Sequence, residues 1–427
     1  MDLETLHNIF LTCNSVCTDT RKIKEGNIFF ALKGDNFNGN TYAQEAIKKG
    51  AKYAVIDEKE YVTENTILVD HVLETLQQLA TYHRKYLKTP IIALTGSNGK
   101  TTTKELINTV LSQQFKTSAT IGNLNNHIGV PLTLLSMTKE TDIGIVEMGA
   151  NHQKEIEFLC NIAFPDYGLI TNYGKAHLEG FGGVEGVIKG KSEMFLHLKT
   201  HNKTIFLNLN DSIQIKNAKG GNTFTFGKST TNPNVSINFV SAKPFVSSKY
   251  GDQIINSKLI GDYNFSNIAV AIAIGKYFKI NDGNIKTAIE GYIPTNNRSQ
   301  IIKKESNKII LDAYNANPTS MRAALLNFEN QDGFKIAILG DMFELGKDAK
   351  AEHQNITDLV ESLNIDQVFL IGENFNMSKT KSEKVIQFKT FDDFKAVNKK
   401  ENFKSSTILI KGSRGMALER VLETPYL

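Results

Sequence analysis

The run I-I-A-L-T-G-S-N-G-K-T-T-T at 91–103 restricts the fold more than any other part of the chain. An apolar, β-rich stretch passes through two glycines into a segment of helical pattern. Gly96 and Gly99 let the backbone turn sharply and aim its N–H groups at an anion. Lys100 adds a point charge, the Thr101 hydroxyl can ligate Mg²⁺, and the following helix offers its N-terminus to the same group. Thr95 to Thr102 therefore reads as a phosphate cradle. Its spacing departs from the general G-x-x-x-x-G-K-[ST] loop, because position 94 is Leu. A strand feeding a helix through such a loop implies a βα unit, and such units build parallel sheets.

The rest of the chain agrees with that implication. After 90, strand-like runs at Ile91–Leu94, Ile143–Met148, Tyr167–Thr171 and Thr204–Leu209 alternate with helical patterns near 102–113, 154–163 and 184–198. Residues 220–260 change to short alternating runs, Thr223–Phe226 and Ile254–Ile260 among them, which predict an antiparallel edge. An alanine-rich helix is expected over Asn264–Phe278, and Asn281 or Asp282 can cap the next one. Before this part lies a small α/β unit with strands at Asn27–Leu32 and Lys52–Ile56. Its last helix, Val72–Leu87, places Val72, Leu76, Leu79, Ala80, His83 and Leu87 on one face. After it, strands at Ile309–Asp312, Lys335–Leu339, Gln367–Ile371 and Thr407–Ile410 predict a third α/β unit, with helices after Pro318, Ala351 and Ser413. The expected domains are 1–88, 89–293 and 294–427.

Composition removes several functions. Net charge is only +4 over 427 residues, too small and too dispersed for a dedicated nucleic-acid binder. Cys13, Cys17 and Cys160 make neither a disulfide framework nor a zinc spacing. No apolar run nears the ~20 residues needed to span a bilayer, and the acidic start M-D-L-E-T is unlike a secretory leader. A cytoplasmic protein not inserted in a membrane is the reading that follows; a monomer is expected, although the sequence leaves oligomeric state open.

A phosphate cradle leaves its use open, since motor ATPases, GTPases and ligases share it. Glu147, in I-V-E-M-G-A-N-H, sits where a neighbouring strand would end and can complete a metal site. The ordered motifs narrow the choice. Beside T-G-S-N-G-K-T-T-T stand G-N-L-N-N-H-I-G-V-P (122–131), E-M-G-A-N-H (147–152), A-H-L-E-G-F-G (176–182) and G-D-Y-N-F-S-N (261–267). D-A-Y-N-A-N-P-T-S-M (312–321), G-D-M-F-E-L-G (340–346) and K-G-S-R (411–414) follow. This set resembles the Mur ligases, from Asp19 to Arg414, and most of all the branch that uses D-alanyl-D-alanine.

The resemblance implies a nucleotide-sugar-binding N-domain, a central phosphate-loop ATPase sheet and a Rossmann-like C-terminal domain. It implies ATP-dependent joining of D-alanyl-D-alanine to a UDP-N-acetylmuramoyl-tripeptide through an acyl phosphate, in peptidoglycan precursor synthesis. Thr95, Gly96, Ser97, Asn98, Gly99, Lys100, Thr101 and Thr102 would hold the ATP phosphates. Thr101, Glu147, His177 and Lys191, the last as a carbamate, would hold Mg²⁺; Lys100, Glu147, His177 and Lys191 form the implied catalytic set. Asn264 and Asn267 match an adenine-contacting segment, with Tyr263 where many relatives have His. Arg298, Asp312 and Asn315 would reach ATP from the C-terminal domain. For the sugar nucleotide, Ser15, Asp19, Arg21, Lys33 and Asn38 are implied, and Asn123, Asn125 and Asn126 for the muramoyl-peptide arm. Lys411, Ser413 and Arg414 are assigned to the dipeptide. The rivals are a sister ligase adding one amino acid to a muramoyl peptide or glutamate to folate, and a non-catalytic UDP-sugar or ATP-binding switch protein.

Overall fold

The computed structural model describes residues 2–295, 297–397 and 403–424. The first unit is a four-stranded parallel sheet of Ser15–Cys17, Asn27–Phe30, Tyr53–Ile56 and Thr66–Leu68. The two inner strands match the sequence expectation. The outer two are three-residue strands too short to carry a periodic signal. Helix Val72–Leu87 has the expected bounds, and Lys88 leaves it in the left-handed region at φ 58°.

That helix joins the first unit to the second. Val72, Leu76, Leu79, Ala80 and His83 are buried, as their spacing predicts, but Arg84 is buried in preference to Leu87. Arg84 donates through Nη2 to Asp166 Oδ2 at 2.6 Å, and through Nε to the Ala163 carbonyl at 3.1 Å. His83 Nε2 lies 3.0 Å from the Met137 carbonyl, which can only accept, so the ring carries its proton there. His83 Nδ1 is then the acceptor for His7 Nε2–H at 3.0 Å.

The second unit holds nine strands in the order Gln253–Asn256, Ser247–Tyr250, Val235–Ser241, Asn222–Gly227, Thr204–Asn208, Tyr167–Ile170, Ile91–Thr95, Ile143–Glu147, Thr117–Ala119. The phosphate-loop strand, Ile91–Thr95, lies inside the sheet and is buried throughout. The expectation for Thr223–Phe226 is corrected. Its strand pairs parallel with both neighbours, and antiparallel pairing starts only between Val235–Ser241 and Ser247–Tyr250. Helix Ser212–Ala218 supplies the crossover a parallel strand requires. The T-F-T-F alternation reflects Phe224 packing on Phe206 and Tyr277, with ring centroids 6.1 and 5.0 Å away.

The third unit has six strands, ordered Gln300–Lys304, Asn307–Asp312, Ser406–Lys411, Phe334–Gly340, Gln367–Ile371, Val385–Phe388. All pairings are parallel except the first hairpin. The helix expected after Ser413 is also corrected. Two 3₁₀ segments, Arg414–Met416 and Leu418–Glu423, stand there. Ala417, at φ 47°, separates them and breaks any continuous α-helix. Among the described residues, no helix is long and apolar enough to cross a membrane.

Candidate active site

Strand Ile91–Thr95 delivers the chain to a loop whose glycines are required by close approach. A Cβ on Gly96 (φ 144°) would stand 2.0 Å from Thr171 Oγ1, and one on Gly99 (φ 79°) 2.6 Å from Asn267 Oδ1. Helix Lys100–Leu111 starts at once, so its free N–H groups face the loop's interior. Lys100 Nζ folds back to donate to the Gly96 carbonyl at 2.7 Å. Burial pushes Lys100 below its ordinary range; the Glu147 carboxylate opposes this and Arg298 adds to it.

Sheet register brings Glu147 to the loop, because Leu94 pairs with Glu147 across adjacent parallel strands. Glu147 is 1% exposed. Its Oε2 accepts from the Thr101 hydroxyl and its Oε1 from Asn125 Nδ2, both at 2.9 Å. Three oxygen-bearing side chains thus meet in one corner.

A cavity of about 1500 Å³ opens from this corner. From the second unit it is lined by Ser97 to Thr102, Asn123, Asn125, Asn126, Glu147, His177, Asn264 and Asn267. From the third come Arg298, Asp312, Asn315 and Lys411, and from the first the Gln77, Gln78, Thr81 and Tyr82 face of helix Val72–Leu87. Asn264 and Asn267 are buried and joined, Nδ2 of Asn267 donating to Asn264 Oδ1 at 2.8 Å. Tyr263 contacts the Ser299 hydroxyl at 3.0 Å, and burial pushes its phenol up. The Arg298 guanidinium stacks 3.6 Å from the centroid of Tyr314. Asp312 accepts from Lys411 Nζ at 2.5 Å and from the Ser299 N–H at 3.0 Å.

Other expected residues lie off the cavity wall. Lys191 is buried on helix Val184–Thr200, where Nζ donates to the Ala150 carbonyl at 3.0 Å and lies 4.9 Å from the Phe181 centroid. Burial drives its amine well below the ordinary lysine range, Lys100 adding to the effect, while Glu155 and Glu193 oppose it. Ser413 is buried, its Oγ accepting from the Phe343 N–H at 2.9 Å, and Arg414 pairs with Glu419 at 2.6 Å. Neither reaches the cavity, so within this group only Lys411 is brought to it.

Ser15, Asp19, Arg21, Lys33 and Asn38 also stand away from it. Ser15 Oγ accepts from Asn27, and Asp19 pairs with Arg21. Lys33 and Asn38 both donate to Glu58, at 3.3 and 2.9 Å. Most follow the carboxyl ends of the parallel strands, where open α/β sheets bind ligands.

Sequence reasoning missed the helix face at Gln77 and Thr81, which has no motif. It also missed Glu344, whose Oε2 lies against Nδ1 of His177. That contact holds the Glu344 carboxyl below its usual range, burial opposing. Glu344 lies inside the G-D-M-F-E-L-G motif, so a signal was present.

For Mg²⁺, Thr101 and Glu147 supply the hard oxygen atoms the ion prefers, and they touch each other at the cavity wall. His177 is on the same wall with Nδ1 turned to Glu344. The Thr101 and Glu147 oxygens suit such an ion, and among the described residues no cluster of three His, Cys, Asp or Glu side chains stands ready to hold a metal. Lys191 as a plain amine does not suit it.

Three family models match the chain: "Mur ligase family, catalytic domain" over 12–84, "Mur ligase middle domain" over 94–275 and "Mur ligase, glutamate ligase domain" over 297–414. A Bacillus subtilis protein, UDP-N-acetylmuramoyl-tripeptide–D-alanyl-D-alanine ligase, is 35% identical over 96% of this chain and 92% of its own. The chain belongs to the Mur ligase family. Among solved Mur ligases, a MurF from Acinetobacter baumannii superposes with a TM-score of 0.87 at 28% identity, covering 99% of this chain and 97% of the other. A Thermotoga maritima MurF, solved in complex with ADP, gives 0.82 at 27% identity and 97% of each. The α/β architecture, with one large sheet in each of three units, is that of the Mur ligases.

Proposed function

We propose that this Mur ligase uses ATP to join D-alanyl-D-alanine to a UDP-N-acetylmuramoyl-tripeptide, the two substrates that the name of its Bacillus subtilis relative gives for that protein. One observation carries the reading: a single cavity is walled by the phosphate loop, by Arg298 and Asp312, and by helix Val72–Leu87. A nucleotide, a long peptide arm and an incoming amine can therefore meet in one place. Residues 1–88 would bind the UDP-sugar, 89–293 the ATP, and 294–427 would close over it.

A carboxylate oxygen is a poor leaving group, so activation comes first. The tripeptide's terminal carboxylate oxygen bonds to the γ-phosphorus of ATP, and the bond to the β,γ-bridging oxygen breaks, releasing ADP. The dipeptide amine then bonds to the acyl carbon and loses a proton. The tetrahedral intermediate expels phosphate, which carries away one oxygen of the original carboxylate. Lys100 and the Thr95–Thr102 backbone would hold the phosphates, and Asn264, Asn267, Arg298 and Asn315 the rest of the nucleotide. Thr101, Glu147 and His177 would hold Mg²⁺, which when bound neutralises phosphate charge. Work of this kind is positioning and charge neutralisation. A carbamate on Lys191 would convert a buried amine into an oxygen anion suited to the same ion. Asn123, Asn125 and Asn126 would face the muramoyl-peptide arm, and Lys411 the dipeptide. The cytoplasm, where ATP is held, is the proposed compartment.

Phosphate release should require the tripeptide and the dipeptide together. The test supplies both the lysine and the diaminopimelate tripeptide, with D-alanine or D-alanyl-D-alanine. D-Alanine should have a much lower kcat/KM, because it leaves a carboxylate site unfilled. Equal values for the two amines would assign the chain to a sister ligase.

A further inference from the structure

The 172–181 segment carries His177, and the third unit grips it at several points. The Lys175 N–H donates to Thr319 Oγ1 at 2.9 Å, and Lys175 Nζ pairs with Glu352 at 2.5 Å. The Glu179 N–H donates to the Glu344 carbonyl at 3.3 Å. Between these points His177 Nδ1 lies against Glu344 Oε2. We propose that Glu344 is a positioning residue for the ligation reaction, setting the ring of His177 from across the interface between two units. The inference rests on the proposed role of His177.

Chemistry gives the contact a direction. A neutral imidazole has one N–H and one lone pair, and an ionised carboxylate only accepts. Glu344 at Nδ1 therefore selects the Nδ1–H tautomer and leaves Nε2 with the lone pair. Nδ1 is buried and makes no hydrogen bond in the present geometry, its ion-pair contact with Glu344 Oε2 aside, and the His177 side chain lines the cavity. A carboxylate behind a histidine, fixing its tautomer and orientation, is the usual support of a ligating imidazole.

Glu344 is itself fixed. The Met342 N–H donates to His353 Nε2 at 3.0 Å, and the Phe343 N–H to Ser413 Oγ at 2.9 Å. Glu344 adopts φ 61° and His177 φ 53°, both left-handed, so two constrained backbones face each other. Yet the Glu344 side chain is 52% exposed, which makes a purely structural role a weak explanation. Because Glu344 belongs to the third unit, the ring is set only when that unit is docked. Docking and completion of the site become one event.

Nitrogen-15 labelling of the nine histidines, with His177→Gln to assign the signal, tests this on the intact protein. Wild type should show the Nδ1–H tautomer at His177. Glu344→Ala should shift it toward the Nε2–H form that water favours, and should lower kcat about 10–100-fold with KM for ATP held within about twofold. Glu344→Gln, whose amide oxygen still accepts, should restore the tautomer and part of the rate. Lys347→Ala, exposed on the same turn, should change neither. An unchanged His177 tautomer in Glu344→Ala, or an unchanged kcat, overturns the proposal. If wild type itself makes no amide, the functional reading fails, and the spectrum still decides the role of Glu344 toward His177.

Discussion

The Thr101 hydroxyl donates to Glu147 at 2.9 Å although the two residues stand 46 positions apart. Parallel pairing of Ile91–Thr95 with Ile143–Glu147 creates that contact, since register alone places Glu147 beside the loop. Sheet topology thus builds the polar corner of the cavity, and the glycines let the loop pack closely on Thr171 and Asn267.

Lys100 lies over its own loop, bonded to the Gly96 carbonyl, and must turn to reach a phosphate. Lys100→Ala should lower kcat about 10²–10³-fold, the range for loss of one charge-stabilising donor. Its melting temperature without ligand should stay near wild type, while stabilisation by ATP with Mg²⁺ should be lost. Near-native turnover would show that the loop does not hold the reacting phosphates.

The two neighbouring lysines on helix Val184–Thr200 make an internal comparison. Lys191 is buried beside Phe181 and kept toward the neutral amine, the form that adds carbon dioxide, while Lys189 is exposed. Lys191→Ala should abolish ligation and Lys189→Ala should not. Short carboxylic acids should partly rescue the first by occupying the carbamate's place. A carbon-13 spectrum with no carbamate signal in active enzyme under labelled bicarbonate would refute the modification.

Arg84 ties the first unit to the second through a side chain only 9% exposed. Removing it leaves Asp166 and the carbonyls of Ala163 and Phe164 short of a donor. Arg84→Ala should cost about 2–4 kcal/mol of stability, read from denaturant midpoints. A loss below about 0.5 kcal/mol, typical of a surface pair, would mean the contact is not an anchor.

The His7–His83 pair predicts an acid-sensitive joint. Burial pushes His7 down to about 4, the His83 charge adding to it, and burial also lowers His83 against the Met137 carbonyl. Unfolded histidines titrate near ~6.5, so between that pH and about 4 the unfolded chain binds more protons. Stability is therefore present above ~6.5 and is lost as pH falls through this window. Calorimetric melting between pH 7.5 and 5 should show a steeper acid slope for wild type than for His7→Gln, which keeps a donor without titrating. Identical slopes would contradict the assignment.

Local signals in the sequence carried the elements that local chemistry determines. Strand Ile91–Thr95, its loop and helix Lys100–Leu111 were readable because glycine, lysine and helical spacing act within a few residues. Helix Val72–Leu87 was readable because Val72, Leu76, Leu79 and Ala80 keep a helical apolar period. Short strands such as Ser15–Cys17 and Val385–Phe388 were not, since they exist through pairing with a neighbour. The same limit hid the longest-range contacts. Arg84 with Asp166, Asn98 with Asn317 and His177 with Glu344 join residues 82 to 219 positions apart in the two pairs whose hydrogen bonds bound that range. Motifs named Asn98, Asn317, His177 and Glu344; Arg84 and Asp166 lie in none, and only the fold pairs them.

At the core of the proposed reaction, a tripeptide carboxylate is activated by ATP and captured by a dipeptide amine. Supplying UDP-muramoyl-tripeptide with oxygen-18 in its terminal carboxylate, together with ATP, Mg²⁺ and D-alanyl-D-alanine, tests it most directly. One labelled oxygen in each released phosphate and a product heavier by the dipeptide are expected. Unlabelled phosphate, or ATP hydrolysis without the amide product, would contradict it.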